Sequence, residues 1–206
     1  MSVTHHTKKR TGILISGRGT NMKALIEAAE ARDYPAEIVV VVSNRADAGG
    51  LDIARGKGVA TEVVPSKAFA DRLEFERALA DTLRPHALDL LCLAGFMRVL
   101  TPWFVEQWQG RMLNIHPSLL PLFPGTHTHE RVLEAGLKTH GCTVHFVTPQ
   151  LDAGPVIAQA SIAVEPGDTP ETLAARLLTF ENRLYPEALA KVASGAVQYP
   201  GRADSS

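Results

Sequence analysis

The first 95 residues alternate between short apolar runs and segments with helical spacing, and this alternation constrains the fold more than any other feature. Buried strands are predicted at 11–16, 37–44, 60–65 and 88–95. The second of these, EIVVVVSN, is apolar almost throughout, as expected of a parallel strand that is covered on both faces. Strands that alternate with helices form doubly wound α/β sheets. We therefore predict an open, mostly parallel, doubly wound sheet.

The second half of the chain departs from this alternation. MLNIH, at 112–116, is predicted as a short strand, and the segments 142–148 and 156–164 are predicted as two further strands. The turn between the last two leads us to expect an antiparallel pair that extends the parallel sheet. A helix is predicted to begin at Pro170, with Thr169 as its cap. Its core face is predicted to carry Leu173, Leu177, Phe180 and Leu184.

Length and composition limit the domain organisation. A chain of 206 residues favours a single domain, and no linker or repeat marks an internal boundary. We predict a flexible arm at 1–10, one domain at 11–196 and a tail at 197–206. Apolar residues make up 45% and charged residues 21% of the chain, which are the values of a globular protein. The net charge of −1 gives no overall attraction to nucleic acid or to an anionic membrane.

The sequence also favours a cytoplasmic protein. No apolar run reaches the roughly 18 residues that a membrane helix needs. The start, MSVTHHTKKRTG, lacks the apolar stretch of a signal peptide. Cys92 and Cys142 each lie in an apolar, strand-like segment. We expect both to be buried thiols in a reducing cytosol rather than a disulfide.

A loop with two glycines, Ser16–Asn21, follows the first predicted strand and precedes a predicted helix. Glycine permits tight turning and close approach of a ligand to the backbone. The N-terminus of the following helix favours a phosphate. The loop lacks the third glycine of a dinucleotide fingerprint and the Gly-Lys-Ser/Thr of a Walker loop. From the residues alone it is either a phosphate site or an ordinary strand-to-helix turn.

Three polar side chains further along the chain are candidates for chemistry. Asn114 and His116 lie two apart in a strand, so they point the same way at a strand end, where open α/β sheets bind ligands. Asp152 lies in the turn LDAGP. A structural histidine and a turn-forming aspartate are the alternatives. His127 and His129 resemble half a metal site, but no cysteine or carboxylate cluster accompanies them, so no metal is predicted.

Taken together, these residues resemble the folate-dependent phosphoribosylglycinamide formyltransferases. The resemblance runs from about Gly12 to Gly195. It is carried by ILISGRGTNMKALIEA, VVSNRADAGGLDIA, LAGFMRVL, NIHPSLLPLFPGTHTH, GCTVHFVTPQLDAGPVIAQ and the helix containing FENRLYP. NIHPSLLP followed by LDAGP is typical of formyl-folate transferases and hydrolases, and the loop after the first strand favours the ribonucleotide enzyme. The resemblance implies a Rossmann-like formyltransferase fold.

The same resemblance implies the reaction and its site. A formyl group would pass from the co-substrate 10-formyltetrahydrofolate to the amine of glycinamide ribonucleotide in purine biosynthesis, with no metal required. The family's catalytic positions match Asn114, His116 and Asp152. Asn114 and protonated His116 would stabilise the tetrahedral intermediate. Asp152 would stabilise the protonated imidazole and order a water for the proton relay.

The family's binding positions also have matches in this chain. Those for the ribonucleotide match Gly19, Thr20, Asn21, Met22, Lys23, Gly95 and Glu181. Those for the folate match Arg72, Met97, Arg98, Val99, Leu100 and Asn114. Backbone groups of Arg98 and Leu100 would pair with the pterin. Thr20 stands where many relatives have serine, and Leu178 and Phe180 stand where some have glutamine, which puts one polar contact to the ribonucleotide in doubt.

Two other classes of function stay open at this level. The first is another formyl-folate enzyme: a formyltetrahydrofolate hydrolase, or the catalytic domain of a methionyl-tRNA or sugar-nucleotide formyltransferase. The hydrolase usually has an extra regulatory domain and the tRNA enzyme an RNA-binding domain, and 206 residues leave no room for either. The second is a nucleotide-binding regulatory protein, which would not need Asn114, His116 and Asp152 together. The expected partners are the two small molecules, and a homodimer is compatible with the sequence.

Overall fold

The computed structural model describes residues 7–201, and within that range it has one sheet of seven strands with helices on both faces. The strands are β1 (Lys9–Ile15), β2 (Ala36–Ser43), β3 (Ala60–Val63), β4 (Leu90–Leu93), β5 (Met112–His116), β6 (Thr139–Phe146) and β7 (Val156–Ala163). The α-helices are α1 (Thr20–Ala29), α2 (Gly50–Gly56), α3 (Arg72–Leu83), α4 (Pro102–Gln107), α5 (Thr128–Glu134) and α6 (Pro170–Ala193). Short 3₁₀ helices span Ser66–Ala68 and Arg84–His86.

The strand order is β3-β2-β1-β4-β5-β6-β7. Neighbours from β3 to β5 run parallel, and β6 runs antiparallel to both β5 and β7. The predicted mostly parallel, doubly wound sheet with an antiparallel extension is therefore confirmed. The strand order reverses direction between β1 and β4, and a crevice forms at the carboxyl ends of the strands at such a point.

Alternating side chains of the sheet supply two separate cores. In β1, Ile13 and Ile15 belong to the core under α1, α2 and α6, whereas Leu14 belongs to the core under α3 and α4. This is the alternation that a strand imposes when both of its faces are covered. Each fully buried side chain of this size contributes roughly 1.5–3 kcal/mol. The two cores hold the carboxyl ends of β1, β4 and β5 in fixed relation.

Helix α6 begins as the sequence predicts. The Thr169 hydroxyl accepts from the Thr172 amide, and the Thr172 hydroxyl accepts from the Thr169 amide. Pro170 occupies the first turn. The predicted core stripe is confirmed, because Leu173 and Leu177 are fully buried and Leu184 nearly so, while Phe180 packs against the same core. Both cysteines are free and buried, as predicted.

Several sequence expectations need correction. Strand β1 begins at Lys9, so the last two residues of the predicted arm belong to the sheet. The Lys9 amide donates to the Pro35 carbonyl and the Arg10 amide donates to the Asp89 carboxylate, so both main-chain amides are satisfied within the fold despite their polar side chains. His140, which precedes Gly141 in the sequence and so suggests a turn, lies within β6 instead. Residues 1–6 of the arm and 202–206 of the tail lie outside the described residues.

The described part of the predicted tail packs against the domain. In the predicted tail, the Tyr199 ring packs edge-on against Phe146 with centroids 5.4 Å apart, and the Val197 amide donates to the Lys191 carbonyl. Among residues 7–201, no helix is long and apolar enough to cross a membrane.

Candidate active site

A cavity of about 660 Å³ opens at the carboxyl ends of β4 and β5. All three predicted catalytic residues line it, together with Gly95 and the segment Met97–Leu100. Asn114 and His116 project from the end of β5, as their spacing predicts, and Asp152 comes from the β6–β7 connection. Two stretches that are far apart in sequence therefore meet around one cavity.

The Asn114 amide is oriented by a histidine on the neighbouring strand. The β5–β6 register places Asn114 directly opposite His145, and Asn114 Nδ2 lies 3.2 Å from His145 Nε2. His145 Nδ1 lies 2.9 Å from the Phe146 carbonyl, which only accepts, so this nitrogen donates. Burial lowers the pKa of His145, so its ring is neutral and Nε2 accepts from the amide. One amide N–H of Asn114 is thus used by His145, and the other is available to the cavity.

His116 lies between two acceptors. Its Nε2 is 2.9 Å from the Phe123 carbonyl, and its Nδ1 is 3.5 Å from Asp152 Oδ2. The side chains of His116 and Asp152 are 7% and 6% exposed, so their charges interact with little solvent screening. The Nε2 nitrogen is close enough to donate to the Phe123 carbonyl, whereas Nδ1 faces the Asp152 carboxylate across a separation longer than an ordinary hydrogen bond. The pair therefore places an imidazole and a carboxylate side by side next to the cavity, where a proton can be taken up and returned at Nδ1.

The Phe123 carbonyl reaches His116 because the preceding loop is tied to β6. The Thr143 hydroxyl donates to the Ser118 carbonyl over 2.6 Å and accepts from the Leu120 amide over 3.1 Å. The Ser118 hydroxyl donates to the Leu122 carbonyl over 2.6 Å. This buried set of bonds fixes the loop that closes over His116.

The turn that carries Asp152 is held by its backbone and its carboxylate. Asp152 has φ of 50°, a left-handed conformation that Asp and Asn tolerate better than most residues. Its Oδ2 accepts from the Gly125 amide over 2.8 Å. Gly154 lies so close to β6 that an added Cβ would stand 1.7 Å from the Phe146 carbonyl oxygen. The aspartate is therefore both a turn residue and a bridge to the loop over His116.

The segment Met97–Leu100 forms an apolar wall of the cavity, with Met97 74% and Val99 55% exposed. Ser16, at the end of β1, ties this segment to the first loop. The Met97 amide donates to the Ser16 hydroxyl over 2.8 Å, and that hydroxyl donates to Asn44 Oδ1 over 2.6 Å. The Ser16 amide donates to the Gly95 carbonyl over 3.2 Å. The ends of three parallel strands are thus joined through one buried serine.

The predicted phosphate loop lies outside this cavity. Gly19 has φ of 74°, and an added Cβ would stand 2.9 Å from the Gly50 Cα, so glycine is required there. Thr20 and Lys23 line a second depression of about 430 Å³ between α1 and α6. The Met22 side chain is fully buried, which leaves its backbone as the part that a ligand can reach. The structure gives the loop an open helix N-terminus, as the sequence predicts.

Glu181 joins α6 to this loop. Its Oε2 accepts from Asn21 Nδ2 over 2.8 Å, and burial raises the pKa of its carboxyl. Asn21 Oδ1 is buried without a hydrogen-bond partner among the described residues. The predicted ribonucleotide residues on α1 and α6 are therefore brought together.

Of the remaining candidate residues, the histidines line the cavity and Arg72 does not. Arg72 is exposed at the first position of α3 and does not line the cavity. His127 and His129 line the cavity wall, and His129 Nδ1 lies 2.9 Å from His140 Nε2. Within residues 7–201, no group of three or more His, Cys, Asp or Glu side chains is arranged to hold a metal ion.

Comparison with known proteins decides the family. A family profile described as formyl transferase matches residues 9–189. The chain belongs to the formyl transferase family. The phosphoribosylglycinamide formyltransferase of Escherichia coli (strain K12) is 45% identical over 186 residues, which are 90% of this chain and 88% of that protein. The resemblance inferred from the sequence motifs is therefore confirmed.

A solved structure and a longer purine biosynthetic protein are also similar to this chain. The structure of phosphoribosylglycinamide formyltransferase from Brucella melitensis superposes with a TM-score of 0.88 at 54% identity, and the match covers 94% of this chain and all of that one. The trifunctional purine biosynthetic protein adenosine-3 of Bos taurus is 48% identical over 191 residues, or 93% of this chain. The chain spans about a fifth (19%) of the length of that trifunctional relative.

Proposed function

We propose that this chain transfers a formyl group from 10-formyltetrahydrofolate to the amine of glycinamide ribonucleotide in purine biosynthesis. The observation that carries the proposal is the meeting of Asn114, His116 and Asp152 at one cavity, in a chain 45% identical to a bacterial phosphoribosylglycinamide formyltransferase over nearly its full length. Two free, buried thiols fit a reducing compartment, and we place the reaction in the cytoplasm.

The cavity suits the folate co-substrate. Its volume of about 660 Å³ falls within the range of small-molecule sites. Apolar side chains of Met97, Val99 and Leu151 give a flat ring a surface to pack on, and all three are more than half exposed. Backbone groups between Gly95 and Leu100 offer the donors and acceptors that a pterin edge needs. Arg72, exposed at the first position of α3, would supply a cation for the acidic tail of the folate.

The ribonucleotide would bind on the other side of the crevice. Its phosphate fits the N-terminus of α1, where Gly19, Thr20 and Asn21 present backbone amides and a hydroxyl. Lys23 adds a positive charge. The carboxyl of Glu181, held by the Asn21 side chain, would form hydrogen bonds with sugar hydroxyls or the amide group. The glycinamide amine would then extend past Gly95 towards Asn114.

Attack of this amine on the formyl carbon places negative charge on the formyl oxygen. The free amide N–H of Asn114 would donate to that oxygen, and removal of such a donor typically costs 10²–10³-fold in turnover, on the order of 3 kcal/mol. His145 serves the reaction by holding the amide in the donating orientation. Positively charged His116 would stabilise the same oxygen electrostatically.

Proton transfer completes the step. The attacking nitrogen must lose a proton, and the folate nitrogen must gain one as the carbon–nitrogen bond breaks. His116 Nε2 is engaged by the Phe123 carbonyl, so Nδ1 and Asp152 are the side from which a proton can move. The Nδ1–Oδ2 separation of 3.5 Å is long for a direct bond and allows a bridging water. No covalent intermediate with the protein is needed.

The proposal is tested by a panel of acceptors. The protein is mixed with 10-formyltetrahydrofolate and, in turn, glycinamide ribonucleotide, methionyl-tRNA, an amino-sugar nucleotide or no acceptor, and tetrahydrofolate release is followed. We expect fast release with glycinamide ribonucleotide alone. Equal release with no acceptor would make the chain a hydrolase, and release with another acceptor would assign it to that reaction.

A further inference from the structure

One fully buried acidic side chain is used by none of the steps above. Glu76 lies on α3, in the core between this helix and the sheet, and is 0% exposed. Removing a carboxylate from water is costly unless donors replace the lost solvation. Here the donors come from one residue: the Thr101 amide donates to Oε1 over 2.7 Å, and the Thr101 hydroxyl donates to Oε2.

Thr101 connects two walls of the cavity. It follows Met97–Leu100 directly and is the N-terminal cap residue of α4, with Pro102 at the first helical position. Its hydroxyl makes no bond to α4 itself and donates to the Glu76 carboxylate instead. One turn into α4, Val105 lines the same cavity. The position of Thr101 therefore sets where the Met97–Leu100 wall ends and where the Val105 wall begins.

A second contact joins α3 to the same segment. The Arg98 guanidinium lies over the Phe75 ring, 5.9 Å from its centroid. Arg72, Phe75 and Glu76 are spaced i, i+3 and i+4, so they share one face of α3. The α3 face therefore contacts the segment 97–101 at Arg98 and at Thr101. Ser16 holds the amino end of the same segment through the Met97 amide.

We propose that Glu76 is a positioning residue for folate binding, because it fixes Met97–Leu100 through its two hydrogen bonds with Thr101. This inference rests on the proposed function, since the ligand of the segment is the formyl-folate. Glu76 itself does not line the cavity and touches no substrate. Its effect should appear in folate affinity and leave ribonucleotide affinity unaltered.

The test compares three variants with the wild type. Glu76→Ala should raise the KM for 10-formyltetrahydrofolate about 10-fold, the usual effect of losing a buried charged hydrogen bond, with the KM for the ribonucleotide within about twofold. Glu76→Gln keeps an acceptor for the Thr101 amide and should restore most of the folate affinity. Leu83→Ala, at the far end of the same helix and also buried, lowers stability without touching the segment and should leave both KM values unchanged.

A readout that needs no ligand accompanies the kinetics. In the free protein, hydrogen exchange of the amides at 97–101 should quicken in Glu76→Ala and stay at the wild-type rate in Leu83→Ala. Should Glu76→Ala fail to fold, Thr101→Val removes only the hydroxyl and should raise the folate KM about threefold to 10-fold. An unchanged folate KM, or equal rises in both KM values, would overturn the inference. A wild type that is inactive with the folate would refute the proposed function instead. The exchange rates of the amides at 97–101 would still test whether Glu76 fixes this segment through Thr101.

Discussion

Replacing Asp152 by Asn separates the two roles that this residue has in the structure. Asn tolerates the left-handed backbone (φ 50°) and keeps an acceptor for the Gly125 amide, so the turn should survive. What it loses is the negative charge 3.5 Å from His116 Nδ1. At an effective dielectric constant of about 20, two unit charges at this distance attract by about 5 kcal/mol before desolvation is subtracted.

The net effect on catalysis is smaller than this gross attraction. Hydrogen bonds to charged groups contribute about 1.5–3 kcal/mol, and both side chains here are less than 10% exposed. We therefore expect Asp152→Asn to reduce turnover about 30- to 150-fold, the equivalent of about 2–3 kcal/mol of transition-state stabilisation. Its free energy of unfolding should fall by no more than about 3 kcal/mol, because the Gly125 acceptor and the turn are kept and only the contact with His116 is lost.

The measurement is the turnover number and the urea unfolding curve of the wild type, Asp152→Asn and Asp152→Ala. Alanine removes the charge, the acceptor for Gly125 and the preference for this backbone conformation. If the charge matters, both variants lose turnover to a similar degree, and the alanine variant loses more stability than the asparagine variant. Near-normal turnover in Asp152→Asn with a large loss in Asp152→Ala would reduce Asp152 to a turn residue and refute the reasoning.

Three further predictions concern single side chains. His116→Ala should lose roughly 10²–10⁴-fold in turnover with little change in either KM, and a folded variant with near-normal turnover would make His116 structural. Thr20→Ala should raise the KM for the ribonucleotide about 10-fold, from one lost hydrogen bond to the phosphate, and a rise in the folate KM instead would contradict the assignment. Burial raises the pKa of Glu181, so the folded state holds this proton to higher pH than the unfolded chain, and the wild type loses stability as the pH rises from the ordinary value of 4.5. Glu181→Gln should therefore gain stability relative to the wild type between pH 4.5 and 8 in urea titrations, whereas a constant difference would show that the carboxyl is not perturbed.

Much of the fold follows from local patterns. The apolar run of β2 and the spacing of Leu173, Leu177 and Leu184 predict a covered strand and an amphipathic helix without tertiary information. Thr101-Pro102 is a helix start of the same kind as Thr169-Pro170, and it marks the beginning of α4 in the sequence. Seven-residue α5 has no side-chain cap, and little in its sequence marks it.

The site was only partly predictable, for a physical reason. Asn114 and His116 lie two apart on one strand, so their common direction follows from strand geometry. His145 joins them only because β6 pairs with β5 in a register that places it opposite Asn114, and register across a long connection depends on packing. Glu76 gave no signal at all, because a glutamate on a charged helix is ordinarily solvated. Its burial depends on the position of Thr101, which is remote in sequence.

The central claim is direct formyl transfer between two small molecules at the Asn114–His116–Asp152 site. The most direct measurement is a rapid-quench single turnover with 10-formyltetrahydrofolate labelled with ¹³C in the formyl group, followed by mass spectrometry of ribonucleotide and protein. We expect the label to pass to the glycinamide amine, with no formylated protein at any time, and to pass at least 10²-fold more slowly in His116→Ala. Label on the protein before the product forms, or label released as formate with the ribonucleotide unchanged, would contradict the account.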